Sequence, residues 1–143
     1  MAEKKRVLIL CTGNSARSQM AEGLLRHLAG DRFKVFSAGV VASFVRPQAL
    51  AAMSEIGIDI SQHRSKSLDE FLGERLDYLI TVCDHANQRC PLFAGALIRI
   101  HWSIDDPVVG GSAEMQLEAF RRARNELQRR LQSFVDDLGP ARK

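Results

Sequence analysis

A thiol and a guanidinium stand six positions apart in Cys11-Thr-Gly-Asn-Ser-Ala-Arg17-Ser18. The spacing alone is weak evidence, and a buried structural cysteine beside an unrelated arginine would satisfy it. Its context argues for more. An apolar run precedes the segment and a helical pattern follows it. Gly13 permits close backbone approach to a ligand, and Asn14 tolerates a left-handed conformation. Loop amides turned inward form an anion nest, and a helix N-terminus adds partial positive charge. Arg17 offers planar, bidentate donors that match a tetrahedral oxyanion. The same field favours a thiolate, to which the Ser18 hydroxyl could donate. Residues Thr12, Gly13, Asn14, Ser15, Ala16, Arg17 and Ser18 are thus read as an oxyanion cradle around a nucleophilic Cys11. No Gly-Lys-Ser/Thr follows, which disfavours a nucleotide P-loop.

Two more thiols occur in Thr81-Val-Cys83-Asp-His-Ala-Asn-Gln-Arg-Cys90-Pro91. The six residues between them could form a helical turn or a loop that moves. His85 and Arg89 are nearby cationic groups that could activate a thiol. Two ordinary buried cysteines remain an alternative. So does a zinc site from Cys83, His85 and Cys90, although the spacing is unusual and a fourth ligand is missing. Asp105-Asp106-Pro107 could supply a general acid or simply mark a turn. The residues themselves do not choose between the two aspartates. His101 and Trp102 are read as shaping that loop.

Elements of two kinds must position these groups. Strands are expected at Arg6–Leu10, Phe33–Ser37, Tyr78–Val82 and Ala96–Ile100. A helix is expected over Ser18–Leu28, with Met20, Leu24 and Leu28 on one face and Gly30 as its stop. A second opens at Pro47, carries Leu50, Met53 and Ile56, and ends at Gly57. A third spans Ser67–Leu76, with Ser67 as N-cap and Glu70 completing a capping box. The last runs from Ser112 to Leu138, with Leu117, Phe120, Leu127, Leu131, Phe134 and Leu138 as its apolar stripe. Alternating strands and helices imply an α/β domain: a three-layer sandwich around a parallel sheet of four strands. Ligands in such sheets bind at strand carboxyl ends, where Cys11 to Arg17 falls.

The chain has 143 residues, 45% of them apolar and 26% charged, as a single globular domain over 1–143 would. No apolar run is long enough to span a membrane. The start MAEKKRVLIL lacks a cleavage site and reads as a short lead into the first strand, so a cytoplasmic protein is expected. Net charge is only +3. The C-terminal arginines, Arg121, Arg122, Arg124, Arg129 and Arg130, interleave with Glu114, Glu118 and Glu126 as a solvated helix face would, which argues against nucleic-acid binding. An odd cysteine count of three suits reactive thiols in a reducing compartment better than a disulfide framework.

The Cys11–Ser18 loop, followed by Gln-Met-Ala-Glu-Gly23, resembles the active-site loop of the low-molecular-weight protein tyrosine phosphatases. It is still more similar to the thioredoxin-coupled arsenate reductases built on the same fold. Ser37-Ala38-Gly39 also fits, and the resemblance covers nearly the whole chain. It implies that Cys11 attacks arsenate, that Cys83 takes the bond as arsenite leaves, and that Cys90 then closes a disulfide with Cys83. Thioredoxin or a similar dithiol protein would reduce that disulfide. The resemblance also selects Asp106 as the proton donor. It implies a monomer with arsenate and thioredoxin as partners, no tightly bound cofactor and no catalytic metal. The alternative it carries is a phosphatase that hydrolyses phosphate monoesters through a Cys11 phosphocysteine.

The sequence departs from the family pattern in three places. Ala16 stands where many of the phosphatases have a second cysteine. Val108, Val109 and Gly110 follow the Asp-Pro where aromatic residues would hold a phenol ring. Some of the reductases bind potassium through groups matching Asn14, Glu22, Ser37 and an aspartate. Lys66 occupies that last position, and its ammonium is expected to replace the cation electrostatically.

Overall fold

The computed structural model describes residues 4–89 and 96–138. Cys90 lies outside the described residues. Four strands, β1 (Lys5–Cys11), β2 (Phe33–Gly39), β3 (Leu76–Thr81) and β4 (Ala96–His101), form one parallel sheet in the order β2-β1-β3-β4. The helices are α1 (Arg17–Ala29), α2 (Pro47–Ser54), α3 (Asp84–Arg89) and α4 (Ala113–Asp137). The chain moves from β1 outward to β2, and from β3 outward the other way to β4. Right-handed crossovers in opposite directions put α1 and α3 on opposite faces of the sheet. The order reverses between β1 and β3, and a crevice opens there at the strand carboxyl ends. Cys11 ends β1, and Cys83 lies two residues past β3.

The central strands are mostly buried, which explains their apolar residues: Val7 to Leu10 of β1 and Leu76, Leu79 and Ile80 of β3 are all inaccessible. On α4 the expected stripe holds at Phe120, Leu127, Leu131 and Phe134, whereas Leu138 falls beyond the helix and is 40% exposed. Ser112 caps α4 by accepting the Met115 N–H at 3.1 Å. Phe134 packs against Tyr78, Phe33 and Trp102, so Trp102 anchors the segment after β4 to the core.

Two expectations need correction. The helix expected over Ser67–Leu76 is a single 3-10 turn at Leu68–Phe71. Gly73 has φ +85° and breaks any continuation, and the buried Leu76 is claimed by β3, where it pairs with Ala96. Ser67 accepts from the Asp69 N–H, and Glu70 pairs with Arg64 instead of closing a capping box. The C-terminal arginines are not all solvated. Arg124 is buried and donates to Ala52 O and to Glu55, which Arg121 also grips. These bonds hold the Glu55 carboxyl down at about 2, hydrogen bonding from Arg121 being the largest cause. They pin α4 to the end of α2. Among the described residues no helix is long and apolar enough to cross a membrane.

Gly23 lets α1 approach the layer beneath it. A Cβ there would lie 2.7 Å from Ile60 Cγ2 and 3.2 Å from Met53 Cε. Alanine gains about 1 kcal/mol in helix propensity, but overpacking costs typically about 1–3 kcal/mol. Gly23→Ala should therefore lower the urea midpoint; a midpoint equal to or above that of the wild type would mean that Ile60 yields without cost.

Candidate active site

The loop from Cys11 to Arg17 is fixed by what its carbonyls touch. Cys11 O and Thr12 O accept from Val40 N and Val41 N, both at 3.1 Å. Gly13 O accepts from the Ser43 and Ser65 hydroxyls, and Ser15 O from Arg46 N. Each peptide N–H points opposite to its carbonyl, so carbonyls held outward leave the amides facing the concave side. Gly39 at the end of β2 makes this approach possible: a Cβ would lie 2.5 Å from Val41 O and 2.7 Å from Asn14 N.

Asn14 is the hub. Its φ of +50° puts it in the left-handed region, as its residue type allows. Its Oδ1 accepts from Lys66 N at 2.8 Å and from Gln19 Nε2 at 2.9 Å. Its Nδ2 donates to Ser18 Oγ at 2.8 Å and to Ser37 Oγ at 3.0 Å. Ser18 Oγ lies 2.8 Å from Cys11 Sγ. Because Ser18 accepts from Asn14, its own proton is free to point at the sulfur. The nucleophile candidate is thus held by a second hydroxyl that is itself held. Cys11 is 3% exposed. Helix α1 begins at Arg17, one residue before the expected start, with Ala16 at the N-cap and no side-chain cap, so its first amides keep their donors for a ligand.

Arg17 is 12% exposed, donates from Nη1 to Ile104 O at 2.9 Å, and places Nη2 3.9 Å from Asp106 Oδ2. Asp106 is 58% exposed at its side chain, and its other oxygen accepts from Val108 N. Among the described residues it is Asp106, not Asp105, that pairs with Arg17. The cradle residues Thr12 to Ser18, Arg17 and Asp106 therefore converge above one end of the sheet.

Cys83 joins this cluster. Its sulfur lies 3.2 Å from Thr12 Oγ1 and accepts the Ala86 N–H at 3.3 Å. Asn87 N donates to Cys83 O, so Cys83 stands at the N-cap of α3. Cys83 is 3% exposed. His85 is exposed. Among the described residues no group of three His, Cys, Asp or Glu side chains could hold a metal ion.

Behind the loop, Glu22 uses both carboxylate oxygens: Ser37 donates to Oε1 and Arg26 to Oε2, each at 2.5 Å. The cation against Glu22 is therefore Arg26. Lys66 Nζ bonds Arg64 O instead and adds only a longer-range charge. With Ser37, Asn14 and Arg26 mutually satisfied, these residues do not fit a bound potassium ion. Sequence reasoning missed Gln19 and His63. Gln19 is fully buried, donates to Asn14 and to Arg64 O, and accepts from His63 Nδ1 at 2.9 Å. The signal for it was an amide one helical turn before Glu22 and two turns before Arg26 on the same face of α1.

A family model described as low molecular weight phosphotyrosine protein phosphatase matches residues 6–143. An arsenate reductase of Halalkalibacterium halodurans is 44% identical over 134 residues, covering 93% of this chain and 96% of the relative. A solved arsenate reductase in its phosphate-binding state superposes with a TM-score of 0.81 at 33% identity, covering 93% of this chain and 98% of that one. A low molecular weight protein tyrosine phosphatase from T. tengcongensis superposes with a TM-score of 0.75 at 26% identity, covering 94% and 99%.

Burial lowers the pKa of His63, Arg26 and Lys66 add to the effect, and Glu22 opposes it. The unfolded chain takes up this proton near about pH 6.5, the folded chain only at lower pH. The unfolded state then binds more protons, so stability present above that pH is lost as pH falls. Urea midpoints should drop between about pH 7 and about pH 5, and His63→Gln should flatten the drop. An identical pH slope in the variant would exclude this origin.

Proposed function

From the chain's membership of the low molecular weight phosphotyrosine protein phosphatase family, we propose that it reduces arsenate to arsenite through a relay of three cysteines. The observation that carries this reading is the second sulfur: Cys83 sits on the hydroxyl of Thr12, the residue next to Cys11. Phosphoryl hydrolysis needs one thiol, and a second one built into the rim of the same loop serves electron transfer.

The steps follow from the side chains. The Cys11 thiolate attacks arsenic(V); an As–O bond breaks, and the oxygen leaves as water with a proton from Asp106. Arg17 and the loop amides hold the remaining oxygens as charge shifts among them. Cys83 then attacks the Cys11 sulfur. An S–S bond forms, the S–As bond breaks, and its electron pair stays on arsenic, which departs as arsenite. Cys90 attacks Cys83 and expels Cys11 as thiolate. The resulting Cys83–Cys90 disulfide takes two electrons and two protons from an external dithiol protein, in this reading thioredoxin. The protein would act as a cytoplasmic monomer without a bound cofactor.

The test couples arsenate to thioredoxin, thioredoxin reductase and a nicotinamide reductant. Cys83→Ser and Cys90→Ser should each abolish sustained turnover, while both keep slow hydrolysis of p-nitrophenyl phosphate; Cys11→Ser should lose both activities. Asp106→Asn should lower both rates by about 10²–10⁴-fold. Wild-type arsenate turnover in both Cys83→Ser and Cys90→Ser would sink the relay. Because Arg26 already neutralises Glu22, rates in potassium and in sodium should agree; a strong, specific potassium requirement would contradict that assignment.

A further inference from the structure

Helix α3 is only six residues long, too short to persist on its own. Yet the placement of Cys83 depends on it, since the Ala86 N–H that bonds the sulfur exists in that position only while the first turn is wound. Something outside the helix must hold this turn. Asp84, its first residue, carries a carboxylate whose Oδ1 lies 2.8 Å from His101 Nε2. His101 is the last residue of β4, and its Nδ1 lies 2.8 Å from the buried Thr81 Oγ1. The ring is thus fixed at both nitrogens between β3 and α3. The Ser103 hydroxyl also bonds Asp84, and Arg17 adds a favourable field. The hydrogen bond from His101 is the largest of the influences that hold the Asp84 carboxyl below its usual range.

We propose that Asp84 and His101 are positioning residues for Cys83: their hydrogen bond braces the first turn of α3 against the end of β4 and so keeps the sulfur on Thr12. The proposal rests on the relay reading, in which Cys83 must meet the Cys11 sulfur. Neither residue touches the oxyanion or a reacting sulfur through its side chain. Their effect is on geometry, so they should govern the second step and leave arsenate binding alone. The brace also joins the cysteine helix to the segment that carries Ile104 and Asp106, which Arg17 holds from the other side.

The experiment compares Asp84→Ala and His101→Ala with the conservative Asp84→Asn, which keeps an acceptor for His101. Amide hydrogen exchange is read at Ala86 and Asn87 in the reduced full-length protein. Steady-state kcat and KM for arsenate are measured with the thioredoxin system. Both alanine variants should speed exchange at these amides by about tenfold or more, the scale of losing one charge-assisted hydrogen bond. They should lower kcat by a similar factor at unchanged KM. Asp84→Asn should recover most of both effects, and the double alanine variant should be no worse than either single, because the pair acts as one unit. Unchanged exchange overturns the proposal. So does faster exchange with unchanged kcat, which would make the brace merely structural. A wild-type protein without arsenate turnover would defeat the relay reading, while the exchange comparison would still decide whether the brace exists.

Discussion

The conformation of one residue governs the rest of the site. Asn14 sits in the left-handed region, and the loop can turn its carbonyls outward only because of that reversal. A lone side chain would not hold it there. Gln19 from α1, the backbone of Lys66 and the hydroxyl of Ser37 on β2 all bond its amide, so three separate parts of the fold determine one torsion angle. The same amide donates to Ser18, which reaches the Cys11 sulfur. Loop shape and sulfur environment are therefore set together, and a change at any of these supports would disturb both.

Topology supplies the second half of the arrangement. β1 and β3 are neighbours in space although some sixty residues of chain separate them, and their crossovers leave in opposite directions. Whatever follows the two strands must meet at the crevice. Cys11 follows one and Cys83 the other. Thr12, between the two sulfurs' segments, closes the contact. No long-range design is needed beyond the order of the strands.

Much of this was legible in the sequence, and the reasons differ from case to case. The four strands and the long C-terminal helix announced themselves through apolar runs and a periodic stripe, because burial on both faces of a sheet or on one face of a helix leaves such patterns. The Cys11 loop was legible because its residue types suit a tight turn able to hold an anion, and Asn14 takes the left-handed conformation that its type tolerates. The Ser67–Leu76 segment misled, since local capping residues are common wherever a turn begins, and the pull of Leu76 into the sheet is a tertiary effect. Residue types alone did not separate Asp106 from Asp105; the family resemblance pointed to Asp106, and it is Asp106 that lies beside Arg17. Lys66 does lend charge near Glu22, though only at longer range, and the sequence did not reveal that Arg26, one helical turn along α1, makes the direct contact. Gln19, His63 and the Asp84–His101 pair were invisible because polar residues betray a buried network only once their partners are known.

The burial of Cys11 and Cys83, at 3% exposure each, has a consequence for what the protein tolerates in its surroundings. A folded protein's thiol or disulfide cannot reach either sulfur while the loop and α3 stay as they are, and bulky electrophiles are excluded for the same steric reason. On the proposed reading, a small anion that fits the amide cradle is admitted. On that reading, size exclusion is a filter on oxidants: selectivity comes from the shape of the entrance as much as from the charge at its base. On the proposed reading, chemistry begun at Cys11 stays insulated from other thiols until a change in the chain brings a sulfur to the surface.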